Sequence, residues 1–111
     1  MSPKFKFRTH TRIPVACDVK YVAEGLIGTG TVHDFSVDGW QISGRTPVRV
    51  GMSLALRVTL PNELTPIEVE AATVQWVKGR AFGVQIVRMS AEAEARVRRF
   101  VESMVNSSRV V

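Results

Sequence analysis

The sequence predicts an all-β domain with a C-terminal helix, built as a small six-stranded antiparallel β-barrel. Three observations lead there. Short runs of alternating apolar and polar residues follow one another, separated by Gly, Pro and Asp-Gly signals, the spacing of small barrels and sandwiches. After Ser90 the apolar period changes from that of a strand to that of a helix. The chain has 111 residues, 45% of them hydrophobic and 23% charged, which suits one core and not two. Three regions follow: a flexible basic arm over residues 1–12, a barrel over 13–90 and a helix over 91–105.

Val15, Cys17, Val19 and Tyr21 alternate with Ala16, Asp18 and Lys20, which predicts a half-buried first strand. Gly25 and Gly28 supply a turn into a second strand from Thr29 to Val37. In that strand Asp34 and Ser36 share the outer face, with Phe35 and Val37 on the inner one. Asp38-Gly39 reads as a hairpin turn with positive φ, leading to a third strand from Trp40 to Ser43. The clearest alternation is the fourth: Met52, Leu54, Leu56, Val58 and Leu60 on one face, Ser53, Ala55, Arg57 and Thr59 on the other. Ile67, Val69 and Ala71 begin a fifth strand that Val74 and Trp76 continue in the opposite phase. A bulge near Ala71-Ala72 reconciles the halves. Lys78-Gly79 turns into a sixth strand, Ala81 to Arg88, where Gly83 marks a bend or a close approach. Ser90 is the expected N-cap of the helix, and Glu92 and Glu94 complement its dipole. Ala93, Val97, Phe100, Val101 and Met104 form its apolar stripe, with Glu92–Arg96 and Glu94–Arg98 as expected ion pairs.

The formal charge of +5 is unevenly placed. Lys4, Lys6, Arg8 and Arg12 are unopposed in the arm, while residues 13–90 balance to zero. A cationic arm points to an anionic partner: a nucleotide phosphate, nucleic acid or a membrane surface. No apolar run reaches the ~20 residues of a membrane-spanning helix, so no membrane insertion is expected. The N-terminus lacks the apolar stretch of a secretory signal. Cys17, the single cysteine, excludes an internal disulfide or a thiolate zinc cluster and reads as a packing residue. A reduced, cytoplasmic setting is the expectation. With two histidines, one cysteine and no Gly-rich phosphate loop, an enzyme is the weakest reading, and no cofactor or metal is expected.

Two polar clusters remain. One is Arg8-Thr-His-Thr-Arg12 in the arm; the other is Asp34-Phe-Ser36-Val-Asp-Gly39. Singly each has a plain explanation, a solvated arm and a turn. In this order and spacing they resemble the PilZ domain family, whose signature is Arg-x-x-x-Arg followed by Asp/Asn-x-Ser-x-x-Gly. Val74-x-Trp76, Phe82-Gly83-Val84 and the C-terminal helix fit the same resemblance, which spans about residues 7–105. It implies a receptor for the bacterial second messenger cyclic di-GMP. The arm's four positive charges and few apolar residues add the expectation that ligand orders it and so relays the signal to an effector protein. Arg8 and Arg12 would then serve phosphate and base edges, and Asp34 and Ser36 the guanine, with Gly39 giving close backbone approach. Phe7 stands where family members often carry a further arginine, which leaves one ligand or two open. Trp76 is as a strand tryptophan more often core than ligand platform, and His10 reads as a solvated arm residue. The competing readings are a PilZ-like adaptor without ligand and a small-barrel binder of single-stranded nucleic acid. With no net charge over the strands and only 7% aromatic residues, no DNA or RNA partner is expected.

Overall fold

The computed structural model describes residues 12–109, with side chains as far as Val105. Arg8, Phe7 and His10 lie outside the described residues. Six strands, β1 (Ile13–Ala23), β2 (Leu26–Phe35), β3 (Gly39–Gly44), β4 (Ser53–Thr59), β5 (Ile67–Lys78) and β6 (Ala81–Arg88), precede one helix, α1 (Ala91–Arg109). The strands close into an antiparallel barrel in the order β1-β2-β3-β6-β5-β4. Closure leaves no free sheet edge. Among the described residues no helix is long and apolar enough to cross a membrane.

Alternation places the core. Cys17, Val19 and Tyr21 of β1, Leu54, Leu56 and Val58 of β4, and Phe82 and Val84 of β6 all point inward. Against β4, Ala72 pairs with Leu54 and Val69 with Leu56, so β5 carries one extra residue there and Val69 and Ala72 both face the core despite their odd spacing. This is the expected bulge. Tyr21 is fully buried, meets Phe82 edge to face at 5.2 Å, and donates its hydroxyl hydrogen to the Thr46 carbonyl at 2.8 Å. Burial pushes the Cys17 thiol above its ordinary range, with the neighbouring Asp18 charge adding to it, so the nucleophilic thiolate is suppressed.

The helix closes one end of the barrel. Ser90 Oγ accepts the Ala93 amide at 3.0 Å, as an N-cap should. Val97 and Val101 are buried and Phe100 meets Phe35 edge to face at 5.5 Å. The Glu94–Arg98 pair forms at 3.0 Å, but the expected Glu92–Arg96 pair does not. Arg96 turns instead to Glu63 and to the carbonyls of Thr65 and Pro66, fastening the β4–β5 loop to α1. Two backbone carbonyls and a carboxylate on the loop together outcompete the single carboxylate one helical turn away.

Candidate functional site

Antiparallel pairing of β1 with β2 sets Ile13 opposite Phe35 and Pro14 opposite Asp34. Arg12, one residue earlier, therefore lies beside the Ser36–Gly39 turn. The four motif residues of the described chain, Arg12, Asp34, Ser36 and Gly39, line one cleft of about 370 Å³. Its volume falls within the range of small-molecule sites. Arg8 lies outside the described residues.

Two bulges aim the side chains into this cleft. Between Val32 and Asp34 the β2–β3 register slips, leaving His33 as the extra residue. Without the slip, Val32 facing the core would turn Asp34 inward as well; with it, Asp34 faces outward and Phe35 is fully buried. A second slip between Val74 and Trp76 does the same on β5, with Gln75 the extra residue. Trp76 is consequently 41% exposed and lines the cleft, which corrects its assignment to the core. Asp34, Gln41, Gly83 and Trp76 then form one row across β2, β3, β6 and β5. Gly83 has a specific reason in this row. A β-carbon there would overlap the Trp76 indole, which lies against the glycine. Beside the row, Gln75 donates its amide hydrogen to Gln85 Oε1 at 3.3 Å, and both line the cleft. Gln41, Gln75 and Gln85 were not singled out from sequence; their outward phase opposite Asp34 is the signal that points to them.

Ser36 differs from its expected place. β2 ends at Phe35, and Ser36 is buried at 1% exposure instead of sharing the outer face with Asp34. Its Oγ donates to the Gly39 carbonyl at 2.7 Å, with Asp38 Oδ1 within reach at 3.1 Å, and accepts the Gly39 amide at 3.0 Å. The hydroxyl is thus taken up by the turn. The Ser36 carbonyl in turn accepts the Trp40 Nε1 hydrogen at 3.1 Å, and the Asp38 carbonyl accepts the Ile86 amide at 2.8 Å. Gly39 does not have the positive φ expected of the hairpin. Its missing side chain matters for packing, since a β-carbon would sit 3.1 Å from the Val84 carbonyl and 3.9 Å from Arg12 Nη2. Ser36→Ala is expected to destabilise the fold by about 1–3 kcal/mol, because the Gly39 amide loses its buried partner. Denaturant unfolding checks this; unchanged stability would show that the hydroxyl does not hold the turn.

The chemistry of the cleft follows from what is left over. The side chains of Arg12 and Asp34 make no ion pair or hydrogen bond with other described residues. A guanidinium fork and a carboxylate acceptor therefore face the same space, with three glutamine amides and an indole face beside them. Such a set reads a planar heterocycle with both donors and acceptors, or an anion. A larger groove of about 1050 Å³ runs between α1, the start of β1 and the β4–β5 loop. It contains none of the motif residues, and its Arg96 is already committed to Glu63 and the loop. Among the described residues, no group of three or more His, Cys, Asp or Glu is placed to hold a metal ion.

Comparison with known proteins decides the family. The PilZ domain model matches residues 6–103. The chain belongs to the PilZ domain family. Solved structures agree on the fold. The Bacillus subtilis inhibitor of motility, MotI/DgrA, superposes with a TM-score of 0.73 at 18% identity over 88% of this chain and 50% of that one. The PilZ domain of CeSA from a cellulose-synthesizing bacterium gives 0.66 at 21% identity, over 86% and 98%. YcgR from Escherichia coli in complex with c-di-GMP gives 0.73 at 15% identity, over 89% and 46%. The chain thus spans about half the length of MotI and YcgR. Among curated proteins, none matches the sequence significantly.

Proposed function

We propose that this PilZ domain is a bacterial, cytoplasmic receptor for cyclic di-GMP, and that the cleft at Arg12 and Asp34 binds it. The observation that carries the reading is an arginine and an aspartate, neither side chain paired with another described residue, facing one cleft over the Gly83–Trp76 floor. The YcgR structure with c-di-GMP supports it by similarity of fold. Cyclic di-GMP offers phosphates and guanine O6/N7 acceptors to an arginine fork. Its guanines offer N–H donors to a carboxylate, and the glutamines can supplement both sets. The exposed face of Trp76 gives a base something to stack on. Ser36 acts through the turn: it sets the path of Gly39 and, with it, the place where Arg12 rests.

Arg8 stands four residues before Arg12 in the sequence. An extended chain of that length reaches roughly 14 Å, enough to bring a second fork to the same ligand. In this reading the bound phosphates hold the arm across the cleft, and the ordered arm offers a new surface to an effector protein.

Asp34 gives the sharpest test of the guanine role. Asp34→Ala is expected to weaken cyclic di-GMP binding by roughly tenfold, from the loss of charge-assisted hydrogen bonds. Cyclic di-AMP, whose adenine lacks the guanine N1–H and N2–H donors, is expected to bind the wild type poorly and to be little affected by the substitution. Equal affinity of the wild type for both dinucleotides would exclude Asp34 as the guanine reader. Calorimetric titration measures each arm.

A further inference from the structure

The barrel end opposite α1 carries a second surface that the ligand cleft does not use. Three connections meet there: the β1–β2 turn at Glu24-Gly25, the β3–β4 loop and the β5–β6 turn. They present Arg45, Arg49, Lys78 and Arg80, all exposed, against the single acid Glu24. None of these four cations has an ion-pair partner among the described residues. Elsewhere among the described residues unpaired cations stand singly, as Lys20, Arg99 and Arg12 do, and the rest are paired. Arg57, Arg88, Arg96 and Arg98, on the barrel wall and the helix, are each paired with a glutamate.

The same end gathers exposed aliphatic side chains. Val22, Ile27, Val50 and Val77 are four of the seven large hydrophobic residues exposed among the described ones, with Ile27 at 71% and Val50 at 65%. Val22 and Ile27 face each other as a cross-strand pair. Hydrogen bonds hold the connections together as a platform. The Thr46 carbonyl accepts from Tyr21, the Gly44 amide donates to the Arg80 carbonyl at 3.1 Å, and the Gly51 amide donates to the Val74 carbonyl at 2.8 Å.

Unpaired cations interleaved with exposed aliphatics, on a rigid support, are a docking surface. We propose that this end binds an acidic protein segment in which carboxylates alternate with aliphatic side chains. Charge complementarity selects the acid, and three of the four cations are arginines, whose planar forks grip carboxylates in pairs and are enriched at protein interfaces. A lipid surface fits less well, because the one exposed aromatic nearby, Trp76, is turned to the ligand cleft against Gly83, and Tyr21 is fully buried. Single-stranded nucleic acid would likewise lack the several aromatic faces that stacking along a strand needs.

The full chain, isotope-labelled for amide NMR, tests this with a short synthetic peptide alternating glutamate and leucine. Shift changes are expected to cluster at residues 22–27, 45–50 and 77–80. Arg45→Ala with Arg80→Ala should weaken the peptide about tenfold, and Ile27→Ser with Val50→Ser several-fold. Arg99→Ala on α1 and Arg12→Ala in the ligand cleft should leave it unchanged, which separates this surface from the cyclic di-GMP reading. A lysine-leucine peptide should not bind. Shifts spread over α1 or the barrel wall, or equal weakening by Arg99→Ala, would overturn the proposal. So would phosphatidylglycerol vesicles engaging this end when the acidic peptide does not.

Discussion

Arg12→Ala is expected to weaken cyclic di-GMP binding by roughly tenfold or more while leaving the unfolding midpoint almost unchanged. The asymmetry comes from where the residue sits. Arg12 precedes β1, is exposed, and its side chain makes no hydrogen bond or ion pair with other described residues. Its removal therefore takes nothing from the barrel, and surface substitutions of that kind stay within about 0.5 kcal/mol of the parent. In a complex the guanidinium would make charge-assisted hydrogen bonds, each of about 1.5–3 kcal/mol. Arg12→Lys should recover little of the loss, since a point charge cannot present two parallel donors. Calorimetry gives the affinities and thermal unfolding the stability. An alanine variant that binds as tightly as the parent would remove Arg12 from the site.

Trp40→Ala is expected to cost about 3–5 kcal/mol of stability, the largest effect among single substitutions near the cleft. Trp40 is buried at 1% exposure and stacks on Phe35, with ring centroids 4.6 Å apart and planes at 23°. Phe35 in turn meets Phe100 of α1. A cavity here would loosen the barrel wall, the helix and the Ser36–Gly39 turn together. Trp40→Phe separates packing from hydrogen bonding. It keeps an aromatic ring against Phe35 but cannot donate to the Ser36 carbonyl, which Trp40 Nε1 does at 3.1 Å. The phenylalanine variant is expected to retain most of the stability and to lose several-fold in ligand affinity, because the turn that positions Gly39 and Arg12 is less firmly held. Denaturant unfolding and ligand titration on the same two variants check both parts. Wild-type affinity in Trp40→Phe would mean that the turn is set by Ser36 alone.

Much of the barrel was legible because its strands alternate cleanly. Leu54, Leu56 and Val58 announce β4, and the phase change at Ala71-Ala72 announces the β5 bulge. Ser90 announces the helix cap. The site was legible only in part. The bulge at His33 inserts one polar residue among others, so no apolar phase change marks it, and Asp34 reached the outer face in the expected scheme only because the strand was run on to Val37. The slip at Gln75 similarly reverses Trp76, whose spacing from Val74 otherwise matches a core position. Ser36 looked like an outward strand residue because the end of β2 at Phe35 depends on the turn hydrogen bonds, which join residues that spacing alone treats as alternating. The partner of Arg96 lies on a loop more than thirty residues away, beyond any local pattern.

The central claim is that the cleft at Arg12 and Asp34 binds cyclic di-GMP. Calorimetric titration of the full chain with cyclic di-GMP, with GTP and a short single-stranded RNA as controls, tests it most directly. The expected result is saturable binding of cyclic di-GMP, with a stoichiometry that also settles whether Phe7 accompanies one ligand or two, and no comparable binding of either control. No heat of binding with cyclic di-GMP at any accessible concentration, or tighter binding of the RNA, would contradict it.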